Sequence, residues 1–211
     1  MNMNKVIYRD LRKEDYDTIK FLIGDAFGFN EFISDKKFLD QLLNIYLQDC
    51  ILGSSFGKVA EKDNKVIGLI LGQTKNDKTH LRKFHNFTSI ASTMLKLLVS
   101  KKENKKVLKE FSKIHDTYKE IIEGKKGDFQ GCIQLFIVSK ESRGLGVGKA
   151  LVSQLFNYMK NMKVNSLYLY TDTRCNYGFY DSQNFKRLNE KKVYFDSLND
   201  NLDIFLYGYK L

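Results

Sequence analysis

A chain of 211 residues, 43% hydrophobic and 13% aromatic, can bury one ordinary α/β core or at most two small ones, and its composition excludes a largely disordered protein. No run approaches the roughly 18 apolar residues of a membrane span, and Met1 to Asn4 lead straight into a short apolar run, so neither a membrane helix nor a secretory signal is expected. The net charge is +10, and residues 75–128 carry most of it with 14 lysines and arginines against 7 acids; these lysines are interleaved with acids and accompany no nucleic-acid motif, so they are read as a solvated helical face, with neither nucleic acid nor membrane expected as a partner.

In chain order, residues 6–8 read as a short strand and 15–27 as an amphipathic helix with Tyr16, Ile19, Phe21, Leu22, Ile23 and Ala26 at helical spacing. Gly28-Phe29-Asn30 breaks it, and Ser34 or Asp35 caps a second helix that runs to about residue 48. Residues 56–61 and 66–73 form a hairpin about the polar turn at 62–65. Residues 77–127 interrupt the strands with two helices, 87–100 and 103–123. The second carries a narrow apolar seam of Val107, Phe111, Ile114, Tyr118 and Ile121. That seam suits packing on its own domain, covering a site, or contact with a second copy of the chain. Residues 129–138 read as a strand covered on both faces. A glycine-rich turn, a helix at 149–162, a strand at 166–171 and a short helix at 174–182 follow. Strands at 185–195 and 203–209 close the chain.

The turn after Val138 reads Ser-Lys-Glu-Ser-Arg-Gly-Leu-Gly-Val-Gly-Lys-Ala. A strand, a tight glycine turn and a helix in that order place free helix amides and the positive end of a helix dipole around an anion. Glycines let the backbone approach phosphate oxygens closely. The Walker A loop fails, because its first glycine falls on Arg143 and its Ser/Thr on Ala150. The dinucleotide fingerprint fails at Lys149, and it belongs after the first strand of a βαβ unit.

The pattern Arg143-Gly144-Leu145-Gly146-Val147-Gly148, with Val138 five residues upstream and Phe179-Tyr180-Asp181-Ser182-Gln183-Asn184-Phe185 downstream, resembles the GNAT superfamily of acyl-CoA-dependent N-acetyltransferases. Lys140 stands where many members carry proline, and Asn184 replaces a glycine; asparagine tolerates the left-handed conformation that ends a helix there. The resemblance implies an α/β (α+β) fold: a mixed, mostly antiparallel central sheet flanked by helices, as one domain over residues 1–211. The basic helical insertion at about 77–127 then lies between the third and fourth strands. It implies acetyl transfer from acetyl-CoA (coenzyme A) to an amine of a small molecule or peptide; the alternative is a non-catalytic acyl-CoA sensor or interaction module. Phe136, Ile137 and Val138 would pair with the pantetheine arm, and Arg143 to Lys149 would hold the pyrophosphate. Thr173 and Asn176 would touch the cosubstrate, although Thr173 equally suits a helix cap. A fourth-strand amide, at Val138 or a neighbour, would stabilise the oxyanion. Tyr180 would be the general acid, and Tyr177 would line the site or pack.

Some family members place a base where this chain has Cys132, so Asp172, Glu61 and Glu31 become the candidates, Asp172 foremost. The segment 27–32, with Phe29, Glu31 and Phe32, is expected to shape the acceptor pocket together with the closing strands. Cys50, Cys132 and Cys175 are odd in number, far apart and without a CxxC pair, so neither a disulfide framework nor a zinc site is expected and a reducing cytoplasm fits. His80, His85 and His115 lack metal-ligand spacing on one helix face, so no metal is expected.

Overall fold

The computed structural model describes residues 5–77, 81, 90, 91, 93, 101–196 and 199–211. Seven strands form one sheet: β1 (Ile7–Asp10), β2 (Phe56–Lys62), β3 (Lys65–Thr74), β4 (Gly131–Val138), β5 (Ser166–Asp172), β6 (Lys186–Phe195) and β7 (Asp200–Lys210). Their order is β1-β2-β3-β4-β5-β7-β6. Every neighbouring pair is antiparallel except β4 with β5. The β2–β3 hairpin turns at Asp63 and Asn64, both at positive φ (52° and 60°), which short polar side chains tolerate.

Alternation along the strands sorts side chains onto two helical layers. Val59, Leu69, Leu71, Leu135 and Ile137 face α1 (Tyr16–Ala26) and α3 (Lys36–Leu52), whose Ile19, Leu22, Ile23, Leu43, Leu47 and Ile51 fill that side. Asp35 caps α3, accepting from the amides of Lys37 and Phe38 at 3.1 Å each. Between α1 and α3, where a break was expected, lies a one-turn helix α2 (Phe29–Phe32), entered through Gly28 at φ 69°. On the opposite face, Leu151, Leu155 and Met159 of a later helix, α5 (Val147–Asn161), meet Ile70, Ile133, Leu167 and Phe205.

The helix α4 (Lys102–Ile121) belongs to the inserted segment, and its seam is satisfied within the chain. Val107, Leu108 and Phe111 pack against Phe38, Leu39 and Leu42 of α3. Ile114, Tyr118, Ile121 and Ile122 pack against Val193, Leu202, Ile204 and Leu206 of β6 and β7. α4 therefore continues the α1–α3 layer over the half of the sheet those helices leave bare. The expected helix at 87–100 falls almost wholly outside the described residues. The expected short helix at 174–182 is a turn followed by α6 (Gly178–Ser182), and Asn184 just beyond it has φ 63°.

Ile121 is 3% exposed in this last cluster. Ile121→Ala should destabilise the protein by about 2–4 kcal/mol, the range for a large-to-small change in a packed core, read as a lowered urea midpoint at unchanged slope. A loss near zero would show that α4 is not part of the core.

Candidate active site

The site begins with a failure of pairing. β4 and β5 are parallel neighbours only where Gly131 meets Leu167 and Cys132 meets Tyr168. Just beyond, the β3–β4 register slips so that Leu71 faces Leu135 while Gly72 faces Ile133, leaving Gln134 as an extra residue. A bulge of this kind bends and twists its strand, and β4 leaves β5 from there to its end. The wedge between them opens into a cavity of about 930 Å³ that runs from the glycine turn to the ends of α3 and α4.

At one mouth the chain leaves β4 through Ser139, whose amide donates to the Ile67 carbonyl at 2.8 Å. Alternation along the strand then turns the main-chain groups of Ile137 toward β3 and those of Phe136 and Val138 into the gap. Of the three residues expected to offer main-chain groups to a pantetheine arm, Ile137 lines the cavity but directs its main-chain groups to β3. Gly144 and Gly146 adopt φ of 80° and 75°, and an added Cβ at either would meet no protein atom within 4 Å. Among the described residues, the amides of Gly144 to Lys149 donate to no main-chain carbonyl. They surround the N-terminus of α5, which gathers the unpaired donors and the positive dipole end at one place. The Arg143 and Lys149 side chains are exposed and form no ion pair among the described residues. Leu145 is 56% exposed and stands outside the cavity lining, whereas Val147 is buried in the core under the turn. Gly148 lies under the rings of Phe136 and Phe179, which an added Cβ would approach to 3.3 Å.

Midway along the cavity are Tyr180, Asp172 and Cys175. Tyr180 is buried among the rings of Phe136, Phe179, Phe185 and Tyr207, with centroids 5.5–6.3 Å away. Burial pushes its phenol well above the usual tyrosine value, and its hydroxyl has no hydrogen-bond partner among the described residues. Asp172 is buried at the end of β5 and accepts from the amides of Arg174 (2.9 Å) and Cys175 (3.2 Å). Its pKa is raised, burial outweighing those two amides. Asn176 lines the cavity. Thr173 does not; its hydroxyl accepts from the Asp203 amide at 3.3 Å, and so it ties β5 to β7 and caps no helix. Tyr177 packs against Phe205 at 5.2 Å, away from the lining.

The far end differs from the expected acceptor pocket. Phe29 is buried in the core against Phe111, ring centroids 5.0 Å apart, and Phe32 lies under the Arg174 guanidinium at 4.2 Å. Glu31 is exposed beside Gly28. None of the three lines the cavity, because the short helix α2 turns their side chains toward α1, α4 and Arg174. Glu61 is bound to Arg9 at 2.6 Å on the far edge of the sheet. The wall consists of Tyr46 and Cys50 from α3, Tyr118 from α4, Gln134 from β4, and Tyr168 and Tyr170 from β5. In the sequence Tyr46 and Tyr118 were indistinguishable from apolar seam positions. Tyr168 and Tyr170 alternate with Leu167 and Leu169, which did signal two different faces. Cys132 and Cys50 are free thiols on the same wall, pushed up by burial to about 11 and about 12. Among the described residues no cluster of His, Cys, Asp and Glu fits a metal ion; His80 and His85 lie outside those residues.

The profile described as "Acetyltransferase (GNAT) family" matches residues 25–185. The fold is similar to the ribosomal-protein-alanine N-acetyltransferase of Brucella melitensis (16% identity, 97% of this chain and 99% of that one, TM-score 0.53). It is similar to the PaiA N-acetyltransferase of Thermoplasma acidophilum in complex with coenzyme A (14%, 98% and 99%, 0.56). It is also similar to YncA, a putative acetyltransferase of Salmonella typhimurium with acetyl-CoA (15%, 99% and 95%, 0.54). No curated protein sequence matches at the same stringency.

Asp172 yields a test of the site's electrostatics. A carboxyl whose folded pKa exceeds its unfolded one contributes stability at acid pH that is lost as pH rises through the folded value. Asp172→Asn keeps an acceptor for both amides and does not titrate. Its stability relative to the wild type should therefore rise from acid to neutral pH, measured by urea unfolding across that range; a pH-independent difference would contradict the burial of the charge.

Proposed function

The chain belongs to the Acetyltransferase (GNAT) family, and from that premise we propose how its cavity carries out acetyl transfer. The enzyme is an N-acetyltransferase with acetyl-CoA as acyl donor and an amine as acceptor. The observation that carries the assignment of its residues is the junction of two sets of main-chain donors. The gap-facing groups of Phe136 and Val138 lead directly to the unpaired amides of Gly144 to Lys149. The first set suits the amide-bearing pantetheine arm as an added strand, and the second suits a pyrophosphate. Arg143 and Lys149 add charge complementarity that solvent partly screens, and Asn176 stands beside the arm.

In the reaction the acceptor first gives up its ammonium proton to Asp172, directly or through water. A carboxylate whose basicity burial has raised is suited to take it. The amine lone pair then forms the C–N bond at the thioester carbonyl, whose oxygen gathers charge near the Val138 amide. The C–S bond breaks, its electron pair leaves on sulfur, and the Tyr180 hydroxyl protonates the thiolate. The adduct nitrogen loses its second proton, which returns through water to the Tyr180 phenolate, and Asp172 releases the first to solvent, so the ammonium and the thioester give amide, thiol and one proton. Burial among four rings keeps Tyr180 in its proton-bearing form, and its hydroxyl is not committed to another described residue.

We read residues 1–211 as one catalytic unit, the insertion at about 77–127 included, because α4 shares both the core and the cavity wall. Among the described residues no helix is long and apolar enough to cross a membrane. A cytoplasmic setting suits three free thiols beside an acyl-CoA site. The chemistry described calls on no nucleic acid and no second subunit.

Acetyl-CoA should raise the melting temperature in proportion to the logarithm of its concentration, and thiol release should follow addition of an accepted amine. Tyr180→Phe should lower kcat about a hundredfold while keeping the acetyl-CoA melting shift. An unchanged kcat would remove Tyr180 as the acid, and a lost shift would make it a structural residue.

A further inference from the structure

The two mouths of the cavity have opposite polarity. The donor mouth is made by a helix N-terminus with Arg143 and Lys149. The other is made by two helix C-termini, the last turn of α3 at Asp49 and Cys50 and the last turn of α4 at Tyr118 and Lys119. Both ends are tied to strands flanking the gap. Gln134 Nε2 donates to the Gly53 carbonyl at 3.4 Å, and the Tyr170 hydroxyl donates to the Tyr118 carbonyl at 2.9 Å. Helix C-termini carry partial negative charge, so both favour a cation here. Asp49 at the mouth and Asp172 inside it have the same sign.

Between these carboxylates the wall is aromatic. Tyr118 and Tyr170 stack at 4.2 Å and 9°, and Tyr46 and Tyr168 flank them on the lining. Ring faces, phenol oxygens, the buried Asp172 and the exposed Asp49 together suit an alkylammonium with an apolar body. The other charged groups of this mouth are His115, Lys119, Glu123 and Lys126, all exposed on the rim. Lys119 is 67% exposed and paired with Asp116 at 3.3 Å, so solvent and its partner screen it.

We propose that the acceptor is a small organic cation, a primary alkylammonium with an aliphatic or aromatic body and no carboxylate. It enters between the ends of α3 and α4, where Asp49 and the ring faces of Tyr118 and Tyr170 select it. This rests on the acetyl-transfer reading of the same cavity. An α-carboxylate on the acceptor would face Asp49, Asp172 and two negative helix ends, whereas an ammonium meets each of them favourably. A folded protein is disfavoured by size. α4 is fixed on one flank to α3 and on the other to β6 and β7, and the pantetheine arm shares the same space of about 930 Å³. Asp172 then takes the proton that the bound ammonium loses, and the neutral amine attacks as described above.

The test uses the full chain with pairs of amines differing by one carboxylate, putrescine against ornithine and phenethylamine against phenylalanine, together with an alanine-initiated hexapeptide. Thiol release from acetyl-CoA should give a kcat/KM at least about tenfold higher for the decarboxylated member of each pair, with the peptide at background. Equal or better turnover of the amino acids or the peptide would overturn the proposal. So would no turnover of any of them by a protein whose melting temperature acetyl-CoA still raises. An absent melting shift would instead remove the acetyl-transfer reading, and this inference with it. Asp49→Asn and Tyr118→Leu should each raise KM for the preferred amine about tenfold at nearly unchanged kcat. Unchanged KM in Asp49→Asn and Tyr118→Leu would refute the selection by these residues.

Discussion

The parallel contact between β4 and β5, confined to two residue pairs, is the constraint from which the working parts of the molecule follow. A sheet interior normally pairs every main-chain group, since an unpaired buried amide is costly. Here a bulge at Gln134 turns β4 away while β5 stays in full register with β7 from Ser166 to Asp172. The exposed edge of β4 can be satisfied only by water or by an extended ligand. The opening also brings three residues to one cavity: Asp172 at the end of one arm, Val138 at the end of the other, and Tyr180 of α6.

Much of this was legible in the residues. The glycine turn was legible because a tight strand-to-helix reversal needs positive φ at fixed positions, and Gly144 and Gly146 occupy them. The strands were legible from two-residue alternation, and Asn184 from its tolerance of the left-handed region. Less legible was anything that depended on which surfaces meet. Phe29, Glu31 and Phe32 have the composition of a binding segment, yet one short helical turn, α2, sends Phe29 into the core and Phe32 under Arg174 and leaves Glu31 exposed. Three-residue spacing did not distinguish Tyr180, which lines the cavity, from Tyr177, which packs on Phe205. The direction of the Ile137 main chain needed the β3 register, which no local pattern encodes. Tyr168 and Tyr170 alternate with Leu167 and Leu169 and so share one face of β5, but what that face meets depends on the docking of α4.

The basic insertion has a double character. In α4, Lys102, Lys105, Lys106, Lys109 and Lys119 are exposed to solvent, and the apolar seam divides between α3 and the β6–β7 face. One helix thus finishes a hydrophobic layer and, through the Tyr118–Tyr170 stack, supplies a wall of the reactive cavity. Coupling the two roles means that substitutions meant to reshape the acceptor wall act on the core as well.

That coupling has a consequence for how the chain is made. The Ile121 carbonyl is held by Asn189, 68 residues downstream, and Lys113 reaches the Tyr194 carbonyl 81 residues on. At ribosomal rates of about 5–20 residues per second, α4 waits several seconds with half its seam uncovered before β6 and β7 exist to receive it. The α3 partners of that seam precede it and can shield Val107 and Phe111 meanwhile. Ile114, Ile121 and Ile122 have no such early cover. The cavity wall that Tyr118 forms with Tyr170 is therefore among the last surfaces of the nascent protein to be fixed in place.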